Sequence, residues 1–437
     1  MSLWARLHAR VGLATPAQRA WAWYDSGNSA FFTTIVTAVF PSFFALYAAA
    51  GMEGPQATAR FGAITTVAMI LIAVSAPILG AIADYSASRK RLLTVFMLGG
   101  AAACFAMTTI GDGGWRWAAL LFIAGNLGVS GSLVFYDSLL PYVARPEETD
   151  RVSTAGYAIG YLGGGLLLLL NLAWVMQPAV WGFADATAAT KAAFASVGVW
   201  WILFTIPLLR HVPEPARVLQ HGERGDESVF VAAFGRLGRT FQEIKGYRQA
   251  FLLLLAMLVY QDGIQTIIRM AAIYATELGI GQTAQIGAFV IVQFVGVPFS
   301  FLFGMLGARI GTKRAIFLAL TVYAFACVLG YFMTTAMHFF LLAALIGMVQ
   351  GGSQALSRSL FARLIPPAKA SEYFGFYAVV ERFATILGPA VFTVSVLLTG
   401  SSRNAILLVI LFFVGGAWLL SRVDVEEGER AARGGVA

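Results

Sequence analysis

Charge is scarce in this chain. Only 12% of its residues are Asp, Glu, Lys or Arg, against 59% hydrophobic, whereas a typical soluble domain carries about 25% charged residues. A water-soluble fold of 437 residues would lack the polar surface to cover itself; a fold embedded in a bilayer must avoid such surface. Cysteine is almost absent as well. Cys104 and Cys327 fall mid-span, where they read as small apolar packing residues and not as a disulfide. The four histidines, at positions 8, 211, 221 and 338, lie near span ends or in loops, and no Cys/His spacing suggests a metal. A proton relay in this chain would have to use carboxylates. No Ser/His/Asp set offers a nucleophile beside a positioned base, and no phosphate-cradling loop of an ATPase occurs. These absences argue against an enzyme and against any cofactor, and they leave gradients as the source of energy.

Long apolar runs fill the chain. Twelve approach the roughly 20 residues needed to cross a bilayer: 21–48, 60–84, 92–110, 115–140, 152–176, 191–210, 249–277, 283–308, 315–333, 338–364, 372–398 and 403–422. The expected class is an all-α integral membrane protein. The opening MSLWARLHARVG is not followed by a short apolar core and a cleavage site, so the first span is expected to be the insertion signal. With twelve spans and both termini on one side, that side carries 23 of the 30 Lys and Arg residues. The other side carries four, Arg60, Arg116, Lys191 and Arg403, and three lie within spans, Arg269, Arg358 and Arg382. The positive-inside rule then puts both termini in the cytoplasm of a multi-pass protein of the cell (inner) membrane. The net charge of +8 reports this topology and contact with anionic membrane lipids, and it implies no nucleic acid.

The connection around 211–248 divides the spans six and six, and the halves repeat at an offset of about 221–224 residues. ILGAIADYSASRKRLL (78–93) aligns with LFGMLGARIGTKRAIF (302–317), pairing Gly80 with Gly304. SLLPYVARPEETDR (138–151) aligns with SLFARLIPPAKASE (359–372), pairing Ser138 with Ser359 and Pro146 with Pro367. Two bundles are therefore expected, 1–210 and 249–437, joined by a linker over 211–248. Parallel six-helix repeats of this kind place a binding site between the halves near the midplane. Within the linker, Phe230, Phe234, Leu237, Phe241 and Ile244 recur at helical spacing opposite Arg236, Arg239, Glu243 and Lys245, the pattern of a helix lying on the membrane surface.

GAIADYSASRKR (80–91) has a glycine, an acid four residues on, and then a basic cluster. It resembles the loop signature of the major facilitator superfamily. WAWYDSGNSAFFTTIVTAVFP in the first span, FYDSLLPYV and STAGYAIGYLGGG across the fourth and fifth, and QGGSQALSRSLFARLIPPAKASEYFGFYAVVERFATILGP across the tenth and eleventh are similar to the vacuole-effluxer-like branch. That branch comprises the autophagy-linked amino-acid effluxers of fungal vacuoles and their bacterial relatives. The resemblance implies twelve helices in two pseudo-symmetric bundles, a cavity lined by spans one, four, seven and ten, and alternation between inward- and outward-open states. It also implies a gating role for Gly80, Asp84, Arg89, Lys90 and Arg91, with Asp84 latching onto the start of span eleven. Asp84 is otherwise only a topology-setting charge beside Arg89–Arg91. The second copy of the signature has Ala308 in place of the acid, so an acidic latch is expected in one half only. Span five lacks the proline expected of drug–proton antiporters.

Polar residues fall in the same four spans. The first carries Tyr24, Asp25 and Asn28; the fourth Asn126, Ser130 and Asp137; the seventh Asp262, Gln265 and Arg269; the tenth Gln350, Gln354 and Arg358. A carboxylate at mid-membrane costs roughly 2.5–3.5 kcal/mol on insertion scales, so these stripes are expected to share one aqueous site. Tyr24, Asn28, Asn126, Ser130, Asp262, Gln265, Arg269, Gln350 and Gln354 are the candidate substrate residues. Asp25 and Asp137 are the candidate ion-coupling residues, for H⁺ or Na⁺. Either acid could instead pair with a basic residue across the bundle and lock helices together. Of Glu381 and Arg382, adjacent on span eleven, at most one need face the cavity. The spacing Gly156, Gly160, Gly164 suits close helix packing, and Gly388–Pro389 reads as a kink. Carboxylates and guanidinium groups in one cavity suit a zwitterion. The expected function is a monomeric secondary transporter of a small polar or zwitterionic solute, with amino acids as the expected class. The alternative is a cation-coupled symporter of sugars or glycosides.

Overall fold

Capping sets where the helices begin. Thr15 accepts the Gln18 N–H while the Gln18 side chain accepts the Thr15 N–H, each at 3.1 Å, a capping box that starts the first helix five residues before its apolar run. Asp185 and Thr335 cap later helices through the N–H groups of Ala188 and His338. The protein is described by a computed structural model over residues 10–52, 54–217, 232–236, 247–384, 388, 391, 392, 394, 395, 398 and 402–434. Its long helices are α1 (Pro16–Ala48), α2 (Gly54–Ser86), α3 (Arg89–Ala106), α4 (Trp115–Ser138), α5 (Thr149–Met176) and α6 (Ala186–His211). They continue as α7 (Arg248–Glu277), α8 (Gln282–Ile310), α9 (Thr312–Tyr331), α10 (Ala336–Arg363), α11 (Ala370–Phe383), α12 (Ser402–Ser421) and a short α13 (Val425–Gly434). Eleven helices among the described residues are long and apolar enough to cross a membrane. The eleventh expected span is described as helix over Ala370–Phe383, and Pro389 of the expected kink lies outside the described residues.

Two boundaries differ from expectation for the same reason. α2 and α3 include polar residues at their ends, because backbone hydrogen bonding continues past the apolar window that a bilayer selects. α1 loosens into wider π turns over Phe31–Ala38 and Phe44–Ala48, on either side of Pro41, which has no N–H to give. The amphipathic helix expected over 226–248 falls mostly outside the described residues; 232–236 is helical. Nothing in the sequence pattern announced α13.

α1 packs on α5 and α6, α3 on α4 and α6, and α2 on α4; α7 packs on α12, α8 on α10, and α9 on α10 and α12. The two groups meet along two seams, α2 against α11 and α5 against α8. At each seam a glycine of the repeat permits the approach. A Cβ on Gly80 would collide with the Ser371 carbonyl, and one on Gly304 with the Thr154 hydroxyl. The repeat extends to single hydrogen bonds. Lys90 donates its ammonium to the carbonyls of Leu209 (2.9 Å) and Val212 (2.6 Å) at the end of α6. Lys313 does the same for Ser421 (2.9 Å) and Val423 (2.7 Å) at the end of α12. Cations at helix C-termini satisfy carbonyls that the helix leaves unpaired.

Candidate functional site

A cavity of about 940 Å³ lies between the two groups of helices. On one wall are Asp25 and Asn28 of α1 and Asn126 and Asp137 of α4; on the other are Gln261, Gln265 and Arg269 of α7 and Gln350, Gln354 and Arg358 of α10. α2, α5, α8 and α11 also contribute, through Thr65, Tyr157, Gln293 and Glu381. The lining is therefore wider than the four spans that the resemblance implied.

Three expected site residues do not border it. Tyr24 shares the helical face of Asn28, but at its depth that face is covered by Tyr136 of α4, whose ring lies 4.8 Å away. Ser130 is buried at the edge of the α4 face, and Leu133 takes its place in the wall. Asp262 is 1% exposed and accepts the Gly388 N–H at 2.9 Å. The wall of α7 runs through Gln261, Gln265, Ile268 and Arg269, so the stripe is set by the residue before Asp262, and one residue is a 100° turn of the helix. Sequence reasoning missed Gln261 and Gln293. Gln293 was visible as the one amide in the run GAFVIVQFVGV.

Arg358 closes the cavity floor. Its Nη1 lies 3.0 Å from Asp137 Oδ1 and 3.9 Å from Asp25 Oδ2. Its Nε donates to the Ser153 hydroxyl at 3.0 Å and Nη2 to the Ser153 carbonyl at 2.9 Å. The guanidinium carbon stands 4.6 Å from the Tyr157 ring and 4.9 Å from that of Trp21, distances at which a cation is attracted by an aromatic face. Asn28 donates to the other oxygen of Asp25 at 3.2 Å. One guanidinium from the second group of helices thus answers two buried carboxylates of the first. Gly156 and Gly160 bring α5 this close: a Cβ there would press on Trp21 and Arg358, or on Ser29 and Asp25.

Beyond the floor, at the end where α1 begins and α12 finishes, lies the α2–α11 seam. Asp84 accepts the backbone N–H groups of Ser371 (3.2 Å) and Glu372 (2.9 Å) in the first turn of α11, the favourable place for an anion on a helix. Arg89 pairs with Asp84 at 2.5 Å and donates to the Ser371 hydroxyl at 2.8 Å. Arg236, from the linker, reaches Glu372 at 3.4 Å. The rest of the basic cluster does not cross the seam. Lys90 ties α3 to α6, with its N–H bonded to Glu214 at 2.9 Å, and Arg91 is exposed. The other seam also carries an acid, Asp150 of α5, which accepts the hydroxyls of Thr312 and Ser359; like Asp84 it stands on the first half.

An elongated polar cavity between two repeated groups of helices, sealed at one end by cross-seam hydrogen bonds, defines a membrane transporter of the major facilitator fold. The chain belongs to the vacuole effluxer Atg22-like family, whose sequence profile matches residues 55–433. It is 35% identical to the MFS-type transporter YxiO of Bacillus subtilis over 414 residues, 94% of this chain and 96% of that one. It is 28% identical to autophagy-related protein 22-1 of Aspergillus niger over 306 residues, 65% of this chain and 48% of the fungal protein. Among solved structures it is similar to the human organic anion transporter MFSD10, with TM-score 0.69 and 15% identity over 93% of this chain and 99% of that one. It also matches FucP in its outward conformation, with TM-score 0.68 and 14% identity over 94% and 99%. The protein is a secondary transporter and not an enzyme.

Proposed function

We propose that the protein moves a small zwitterionic solute, an amino acid in the first instance, across the cell membrane by alternating access. The observation that carries this reading is the charge layout of the cavity. Arg269 is exposed on its wall and has no ion pair or hydrogen bond among the described residues, while Asp25, Asp137 and Glu381 supply negative charge elsewhere in it. A carboxylate and an ammonium on one small molecule each find an opposite charge. A second pocket of about 280 Å³, lined by Met270, Phe339 and Ile346 among others, shares Phe289, Gln293 and Gln350 with the cavity. It offers room for an apolar side chain.

Both termini are then cytoplasmic, by the distribution of Lys and Arg, and the described state is closed toward the cytoplasm. The cavity extends away from its Arg358 floor as far as Pro41 and Phe61. The chain divides into bundles 1–210 and 249–437 that rock about the cavity as a monomer in a bacterial inner membrane. Coupling to a proton falls to Asp25 or Asp137. Protonating either removes part of the attraction that holds Arg358 across the halves, so loading and unlocking are linked. Na⁺ in the same place would act alike.

The test is uptake into proteoliposomes of a labelled amino-acid mixture with and without an imposed pH difference. Asp25→Asn should abolish accumulation against a gradient and leave exchange measurable. Accumulation by that variant would remove Asp25 from the coupling role.

The amide wall favours a second reading. Gln261, Gln265, Gln293, Gln350 and Gln354 each both donate and accept, as ring hydroxyls require, which suits a cation-coupled sugar or glycoside symporter. Thermal-shift screening of purified protein separates the two. Stabilisation by sugars and none by amino acids would select the second.

A further inference from the structure

The acid missing from the second copy of the repeat is supplied from the opposite side of its seam. At the α2–α11 seam the carboxylate stands on α2, as Asp84, and its partners are in the first turn of α11. The corresponding position on α8 is Ala308, which is exposed. Yet Asp150, in the first turn of α5, is only 5% exposed. Its Oδ2 accepts the Thr312 hydroxyl and its Oδ1 the Ser359 hydroxyl, each at 2.5 Å, with Arg363 Nη2 at 3.7 Å. All three partners belong to the second half, on α9 and α10. In the alignment of the repeats Asp150 corresponds to Ser371, the hydroxyl partner at the first seam. Acid and hydroxyl have changed sides.

We infer that Asp150 is a second gating residue of the transport cycle, which with Thr312, Ser359 and Arg363 closes the cytoplasmic end at the α5–α8 seam, as Asp84 does at the α2–α11 seam. A carboxylate with its side-chain partners all on the other half cannot keep them when the halves part at this end. Each cross-seam bond therefore favours the state in which the cytoplasmic end is shut. The approach is close enough for this because Gly304 and Gly307 stand where a Cβ would meet Thr154 and Asp150. α13 backs the cluster from the second half. Glu429 lies 3.6 Å from Arg363, and Glu427 accepts the Gln249 amide at 2.7 Å, so Arg363 is held between the acid it must reach and the helix behind it. The inference rests on alternating access alone and needs neither the substrate nor the coupling ion.

The experiment measures the distance between spin labels on Glu147→Cys and Arg309→Cys in the full chain in lipid nanodiscs. Both positions are exposed, one on each half beside the seam, and the two native cysteines are buried. Asp150→Ser should shift the distribution toward longer distances without substrate present, and Asp150→Glu should return it to the parent distribution. Thr312→Val, which removes one donor and keeps the acid, should shift it the same way by less, and it serves if Asp150→Ser fails to fold. An unchanged distribution in folded Asp150→Ser or in Thr312→Val overturns the inference, as does Asp150→Glu behaving like Asp150→Ser. Asp84→Asn in the same labelled background separates the two failures. If it lengthens the distance and Asp150→Ser does not, Asp150 is no gate. If neither does, it is opening at this end that fails.

Discussion

Arg358 of α10 and Asp137 of α4 are paired at 3.0 Å across the two halves of the molecule, with Arg358 only 3% exposed. A buried pair of this kind need not stabilise more than an apolar contact would, but removing one partner strands the other and costs about 3–5 kcal/mol. Arg358→Met leaves Asp25 and Asp137 facing each other without a counter-charge. The expected outcome is a clear fall in melting temperature together with faster labelling of cysteines placed at the cytoplasmic end. The double change Arg358→Met with Asp137→Leu should recover part of the lost stability. A single variant as stable as the parent would mean that the pair carries no structural weight.

Asp84→Asn keeps one acceptor for the α11 N–H groups and removes the charge that holds Arg89. Labelling at the cytoplasmic end should rise, with substrate affinity little changed. Lost binding with unchanged labelling would move Asp84 from the gate to the site.

Arg269→Ala should weaken solutes that bear a carboxylate by roughly 10- to 100-fold, following the 1.5–3 kcal/mol of a hydrogen bond to a charged group. Neutral analogues should lose much less, as read by competition in a binding assay. Equal loss for both would make Arg269 a structural residue.

Lys90→Met and Lys313→Met each uncap two carbonyls at the end of the helix that closes its half. Each should cost about 1 kcal/mol of stability, by similar amounts because the two contacts repeat one another. Exchange rates should hold. A large change in exchange from Lys90→Met alone would give Lys90 a part in gating.

Glu148, in the loop before α5, is held below the usual carboxylate range by Arg145, 2.7 Å away. Its contribution is therefore present above the unfolded carboxylate pKa and is lost as pH falls through the lower folded value. The pair lies at the surface with Arg145 exposed, so solvent screening keeps the effect small. Glu148→Gln should lower the melting temperature slightly near neutral pH and not at all in strong acid. A difference that grows on acidification would contradict the sign.

The sequence by itself determined the class of the molecule. Scarcity of charge and twelve apolar runs leave a polytopic helical protein no alternative, since a chain in lipid must satisfy its backbone internally. The alignment of Gly80 with Gly304 and of one basic loop with the other carried the duplication, because the same close approach is made twice. Which face of each helix meets the cavity was a different matter. Asn28, Asn126, Gln265, Arg269, Gln350 and Gln354 could be read from polar stripes. Tyr24, Ser130 and Asp262 could not be sorted from them, because on a helix a neighbouring polar residue is 100° away and only the packing partner says which one turns inward. Tyr136 covers the first, and the Gly388 N–H takes the third. Tertiary structure alone decided the ion pairs and the hydrogen bonds across the seams. Arg358 finds Asp137 and Asp25, and Asp150 finds Ser359 and Thr312, across more than a hundred residues of chain. A local pattern records which charges are present; only the meeting of the two halves fixes which of them lie within bonding distance.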